Sequence, residues 1–277
     1  MVTIVSDSTC DLSSELVSKY NIQIVPLSVF IGGQNYLDGI QITSPKLFDL
    51  VNETNDLPKT SAPSIEAFHK IFSQYPQLIY IGISSKLSAS YQCSLIALEG
   101  SDPNAKIVID SLNLSTGIGL LVLKAAELSQ QGRSVLQIAD QIRSDVPKIR
   151  TSFVVDTLDY LYKGGRCSAI EHLAASILKI RPVIEVKPDG TLGVREKLGG
   201  SRKKALLSIL GTLLAQKTLI DSHRVFITHC ACFEDAEFLK NEIEKLTFFE
   251  EILITEAGST IASHCGPKTI GILYKTK

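Results

Sequence analysis

The 277-residue chain has almost no excess charge: 28 lysines and arginines are set against 29 aspartates and glutamates, a formal net charge of −1. A nucleic-acid surface is therefore not favoured. Long apolar runs are also missing. The longest uncharged helical stretch, "ALLSILGTLLAQ" from Ala205, falls well short of the roughly 20 residues that span a bilayer. There is no CxxC pair, and the lone C-x-C at Cys230 and Cys232 lacks a second ligand pair at metal-site spacing. Reduced, mostly buried thiols and no metal are expected. Walker A and GxSxG sequences are absent, as are internal repeats and low-complexity linkers. "GIGLLV" from Gly117 begins like a dinucleotide fingerprint, but Val122 stands where the third glycine belongs, inside a predicted helix. The opening "MVTIVSDSTCDL" reaches Asp7 before any signal-peptide core develops. A soluble, cytoplasmic protein without a cofactor is the expectation.

A hydrophobic content of 44% supports well-buried cores, and the length favours two domains. The first half alternates strand-like segments ("VTIVSDS", "QIVPLSVFI", "LIYIGI", "KIVID") with helix-like ones. "TSPKLFDLVNE" carries Ser44 as a cap, "SIEAFHKIFSQ" places Ile65, Phe68 and Phe72 on one face, and "STGIGLLVLKAAELSQQG" is long and apolar. That order predicts a mainly parallel sheet flanked by helices. Beyond about Thr151 the rhythm changes. "RPVIEVKPDGTLGVREK" reads as a hairpin turning at Pro188-Asp189-Gly190, followed by helices and strands of a mixed sheet. The fold class is thus α/β in two domains, residues 1–150 with a mainly parallel sheet and 151–277 with a mixed sheet.

Hydroxyl side chains crowd the predicted carboxyl ends of the parallel strands, where ligands meet such sheets. Ser6, Ser8 and Thr9 follow the first strand, and Ser111 and Ser115 follow "KIVID". "ISSKLSASYQCS", Ile83–Ser94, holds five serines, and Thr60 and Ser61 lie in "KTSAPS". Each serine could simply cap its own helix, or the set could hold a small anion such as a carboxylate. Among five histidines (69, 172, 223, 229, 264), His264 sits on a constrained turn, "SHCGPKTIG", and could reach a pocket. Ser88 with His264 could then form the nucleophile and base of a serine esterase or thioesterase. "KGGRCS" and "GGSRKKA" bring Arg166 and Arg202 to helix ends, as solvated faces or as contacts for an acidic partner.

The ordered series "DSTCDL", "KTSAPS", "ISSKLSASYQCS", "DSLNLSTGIGLLVLKAAEL", "LDYLYKGGRCSA" and "HCGPKTIG" resembles the DegV family of bacterial fatty-acid-binding proteins, from the first residues to the last. The resemblance implies two α/β domains that sequester one long-chain fatty acid, with the lipid pocket at and beyond their interface. It implies a non-enzymatic carrier whose carboxylate-binding set is Thr60 or Ser61, Ser88 and His264, with Arg166 and Arg202 near the opening. It further implies a fatty acid kinase as partner, which phosphorylates the bound carboxylate on the way to phospholipid synthesis, and brief contact with a membrane surface. The apolar runs "LLSILGTLL" and "LAASILKI" are then candidate tail walls. Three positions depart from the family pattern: Ala62 stands for the usual Gln, Ala89-Ser90 for Gly-Thr, and Lys268 for Gly.

Overall fold

A computed structural model describes residues 1–166 and 180–277, the side chain of Ile180 excepted. The helix expected over "SAIEHLAASIL", with His172, lies outside the described residues, as does the tail-wall candidate "LAASILKI". Strands β1 (Thr3–Asp7), β2 (Gln23–Val25), β6 (Leu78–Gly82) and β7 (Lys106–Asp110) form a wholly parallel sheet in the order β2-β1-β6-β7. The chain leaves β1 toward β2 on one side and returns at β6 on the other. A topological switch point therefore opens at their carboxyl ends.

Both faces of this sheet are buried, as its near-continuous apolar strands require. Leu78 and Tyr80 face helices α3 (Ile65–Phe72) and α4 (Ser90–Ala97), whereas Ile79 and Ile81 face α5 (Thr116–Gln130) and α6 (Val135–Asp145). The second sheet is mixed. It joins β8 (Ile149–Val154), β9 (Ile180–Val186), β10 (Leu192–Gly199), β11 (Ile220–His229), β12 (Glu251–Glu256) and β13 (Ile270–Thr276) in the order β10-β9-β8-β13-β11-β12. Only β11 and β12 run parallel. Helices α8 (Arg202–Ala215) and α9 (Phe233–Glu244) cover one of its faces, and α5 covers the other through Phe153, Phe226 and Leu273. A small antiparallel sheet of β3 (Ser28–Ile31), β4 (Gln34–Leu37) and β5 (Lys59–Ser61) completes the α/β architecture.

Helix α5 is thus shared by both large sheets, and the glycines of its first turn explain how. A Cβ on Gly117 would collide with the Asn113 and Thr151 side chains, and one on Gly119 would meet Leu12 and the Cys10 carbonyl. "GIG" is a close-packing device rather than a nucleotide loop.

Several local expectations change. Pro26 does not merely roughen one strand. It separates β2 from β3, which belong to different sheets. Helix α2 (Ser44–Thr54) has Thr43 at its cap position, and the Ser44 hydroxyl instead donates to the Ala257 carbonyl. Ile65 is 42% exposed while Phe68 and Phe72 are buried, because the apolar stripe of α3 is narrower than its pattern suggests. Within α8, Leu206, Ile209, Leu210 and Leu213 pack into the outer core of the mixed sheet, while Leu207 and Leu214 are exposed, so none of the leucines of "LLSILGTLL" is a wall of the cavity described below. No helix among the described residues is long and apolar enough to cross a membrane.

Gly117→Ala should lower stability by about 1–3 kcal/mol, since the new methyl splits the 2.7 Å hydrogen bond from Thr151 to Asn113. Gly211→Ala, in open space on α8, should raise it by about 0.5–1 kcal/mol. Urea unfolding of the two variants checks the contrast.

Candidate functional site

The site is built around α10 (Ser259–Cys265), a seven-residue helix near the end of the chain. It packs against α2, β3 and β5 from the first half and against α7 (Asp159–Gly164). Its cap residue, Gly258, offers no side chain to its first N–H groups, and such groups need partners when buried. Two carboxylates from the start of the chain supply them. Asp11 Oδ1 accepts from Gly258 N–H at 2.8 Å and Asp38 Oδ1 from Ser259 N–H at 2.7 Å. Negative charge is favourable at a helix start. Burial nevertheless pushes both carboxyls above their ordinary range, against the lowering effect of hydrogen bonds from Ser115 and Gly258 to Asp11 and from Ser259 to Asp38.

At its other end α10 delivers His264. Strand β5 pairs with β3, with Thr60 opposite Val29, and this places the Thr60 hydroxyl 2.7 Å from His264 Nε2. Gly164, the last residue of α7, lies against the imidazole. A Cβ there would strike Nδ1, so only glycine lets the ring sit flat on the end of that helix. The next residue, Gly165, closes the helix in the left-handed conformation. His264 Nδ1 is enclosed and has no hydrogen-bond partner among the described residues. Burial, reinforced by the nearby Arg166 guanidinium, pushes the imidazole down to about 4, so it is neutral near pH 7. With Nε2 protonated, the ring donates to Thr60 and leaves the threonine's own proton free to point into the cavity.

Thr60, Ser61, Ser88, Arg166 and His264 line one cavity of about 240 Å³. Ser88 Oγ accepts from Ser90 N–H at 3.2 Å and lies 2.9 Å from Ser90 Oγ; when Ser90 is the donor of that pair, the Ser88 proton is available to the cavity. Arg166 is exposed at this polar end and spends its donors on the carbonyls of Gly164 and Leu87. Away from the polar end the walls are apolar: Ile83 and Leu87 after β6, then Leu114, Leu161, Leu192 and Ile261.

Arg202 is not brought to this cavity. Its guanidinium pairs with Asp235 at 2.6 Å and Asp156 at 3.6 Å and donates to the Lys268 carbonyl at 2.7 Å. It thereby clamps the turn in which Lys268 adopts a positive φ of 60°, a conformation that favours glycine. Most of the other hydroxyls are engaged elsewhere. Ser6 donates to the Ile81 carbonyl, Ser84 to that of Gly190 and Ser115 to Asp11, while Ser8 accepts from Leu27 N–H. The four strand ends therefore do not converge on one anion. His69 is exposed, His223 pairs with Glu250 at 2.9 Å, and His229 accepts from Cys232 N–H. No metal-binding group of side chains occurs among the described residues.

Three contributors escaped the sequence reading. Thr260 lines the cavity one helical turn before His264, its buried hydroxyl beside the Asp38 carboxylate. Leu192 arrives from the hairpin, and Gly164 makes room for the imidazole. The i, i+4 spacing of Thr260 and His264 was the one signal available for the first. Among the described residues the pairing needed for a serine hydrolase is not formed. The Nε2 partner of His264 is Thr60, no acid among them orients Nδ1, and an imidazole near 4 is a weak base at neutral pH.

The α/β scaffold thus carries a largely apolar cavity bordered by hydroxyls and a neutral imidazole, the composition of a small-molecule site. The family model described as uncharacterised protein, DegV family, matches residues 1–277, and the chain belongs to the DegV family. A DegV domain-containing protein of Clostridium acetobutylicum is 31% identical over 281 residues, covering 100% of this chain and 99% of its relative. The fatty-acid-binding DegV family protein of Thermus thermophilus superposes with a TM-score of 0.93 at 30% identity, covering 100% and 99% of the two chains. A stearic-acid-binding protein of Eubacterium ventriosum superposes at 0.87 with 30% identity, covering 99% and 98%.

Because the folded imidazole is held near 4 and an unfolded one titrates near 6.5, its contribution to stability is complete above 6.5 and drains away as pH falls toward 4. Between those values wild type should lose about 2 kcal/mol more stability than His264→Gln, allowing for solvent screening. Denaturation at stepped pH measures the difference. Gly164→Ala should displace the ring from Thr60 while the global unfolding midpoint moves little. The His264 ring resonances in an NMR spectrum report the displacement.

Proposed function

We propose that this protein binds a long-chain fatty acid and presents its carboxyl group to a fatty acid kinase for conversion to an acyl phosphate. The observation that carries this reading is the 2.7 Å contact of Thr60 with a neutral His264 at the polar end of an otherwise apolar cavity. In this reading the carboxylate accepts hydrogen bonds from Thr60, Ser61 and Ser88, His264 completes the set by holding the Thr60 hydroxyl with its proton toward the ligand, and exposed Arg166 offsets the charge. Neutral donors suffice because the tail supplies the affinity, about 0.8 kcal/mol for each buried methylene. The solved relatives that bind fatty acids, stearic acid among them, support the ligand class.

The kinase partner, a role in phospholipid synthesis and transient membrane contact belong to the same reading. So does a division into domains at residues 1–150 and 151–277, with the ligand held between and within them. Arg202 has no place in the binding set, since its donors hold the Lys268 turn.

The protein should copurify with fatty acid, which denaturation and mass spectrometry would identify. After delipidation, Thr60→Val and Ser88→Ala should each weaken oleate binding by about 10–150-fold, the worth of one lost hydrogen bond to a charged acceptor. Absence of any fatty acid, together with failure to take up added oleate or palmitate, overturns the proposal. Rapid turnover of acyl esters that Ser88→Ala abolishes would replace it with a hydrolase.

A further inference from the structure

Three aspartates, Asp7, Asp11 and Asp38, are buried around the start of α10, and none of them is ion-paired among the described residues. Asp7 accepts four hydrogen bonds: from Thr9 N–H and Ile83 N–H at 3.1 Å, from the Tyr80 hydroxyl at 2.6 Å and from the Thr9 hydroxyl. Asp11 accepts on each oxygen, from Ser115 at 2.6 Å and from Gly258 N–H at 2.8 Å. Asp38 is less well supplied. Its Oδ1 accepts from Ser259 N–H at 2.7 Å, but Oδ2 is enclosed without a hydrogen bond of ordinary geometry. The carboxyl's other neighbours are the hydroxyls of Ser8 and Thr260 and the Thr260 N–H. Asp11 and Asp38 also crowd one point, since oxygens of both lie within 3.3 Å of where a Cβ on Gly258 would stand. Two enclosed like charges this close favour retention of a proton by the pair. The other titratable groups nearby are Cys10 and Tyr80 beside Asp7, Cys230 beside Asp11, and His264 farther along α10. Burial keeps the two thiols and the phenol neutral.

Thr260 connects this carboxyl to the ligand site, because it borders the cavity and its hydroxyl is beside Asp38. A hydroxyl has one proton to give, and the state of Asp38 decides where it goes. An ionised Asp38 only accepts, so it takes the Thr260 proton and leaves lone pairs to meet a ligand carboxylate. A protonated Asp38 donates to Thr260 Oγ1 and frees the threonine's proton for the cavity. Thr60 stands in the same relation to His264 Nε2, 2.7 Å away.

We propose that Asp38 holds a proton while the ligand is bound and, by donating it to Thr260, makes Thr260 a fourth hydroxyl donor to the carboxylate. Asp38 is a positioning residue, acting through Thr260. The inference rests on the fatty-acid reading of the site and adds a linkage to it: the fatty-acid anion and one proton bind together. The proton comes from solvent and forms the O–H bond of Asp38, and no bond in the ligand breaks. Binding is therefore strongest where Asp38 is protonated and weakens as rising pH removes that proton, by up to about tenfold per pH unit.

The test uses the full-length, delipidated protein and radiolabelled oleate, with affinity measured from about pH 6 to pH 9. Free carboxylates are ionised across that range, and the imidazole of His264, held near 4, is neutral. Wild-type affinity should fall as pH rises. Asp38→Asn, whose amide N–H stands where the acid proton would, should bind with a flat profile, whereas His264→Gln should bind more weakly and keep the slope. Thr260→Ser should keep the slope as well. Thr260→Val should lose it and bind about 10–150-fold more weakly at pH 6. The threonine variants decide the question even if Asp38→Asn does not fold. A flat wild-type profile, or a slope that survives Asp38→Asn or Thr260→Val, overturns the assignment and leaves the carrier reading intact. If wild type takes up no oleate at any pH, the carrier reading fails and the assignment falls with it.

Discussion

Two carboxylates buried near the start of the chain hold the first turn of a helix near its end, and the candidate site depends on that contact. Asp11 and Asp38 reach Gly258 and Ser259 across more than two hundred residues of sequence. Each bond, to an acidic acceptor in a buried setting, is worth about 1.5–3 kcal/mol. Burial of the two acids opposes this by disfavouring their ionised forms. The net gain is positional: α10 cannot slide along its axis without stripping partners from both carboxyls, so His264 stays in register with Thr60. Ser44, bonded to the carbonyl of Ala257, holds the same strand-to-helix junction from a third direction.

The buried groups at the polar end of the cavity are neutral. A buried lysine or arginine would attract a carboxylate more strongly but would carry a large desolvation cost before the ligand arrived. Hydroxyls and an imidazole held neutral avoid that cost. Arg166, the one cation lining the cavity among the described residues, stays at the surface, where water keeps it solvated and where it depresses the imidazole further. Affinity can then come from the walls, in proportion to the hydrocarbon covered.

The scaffold makes this possible because one helix is shared. Between the parallel and mixed sheets lies α5, with glycines at both points where a neighbouring backbone or side chain comes closest. The sheets are thereby kept in one packed body, and the loops after β6, the turn of the β9–β10 hairpin and α10 meet at the switch point of the parallel sheet. Ser84, donating to the Gly190 carbonyl at 2.9 Å, ties the hairpin turn to the loop that carries Ser88.

Much of this was legible in the amino-acid order. Alternation of apolar strands with amphipathic helices determined the α/β class, and the motif series picked out Thr60, Ser61, Ser88 and His264, which line one cavity. What the sequence could not settle was which hydroxyls remained free. Ser6, Ser8, Ser84 and Ser115 have the same local signature as Ser88, but distant groups consume them. Arg202 likewise read as a free cation until Asp235, Asp156 and the Lys268 carbonyl were folded around it. Local pattern decides where a strand or helix forms because those preferences act over a few neighbouring residues. Only the tertiary structure decides which polar atoms are left unpartnered, because each hydrogen bond that removes one joins residues tens to hundreds of positions apart.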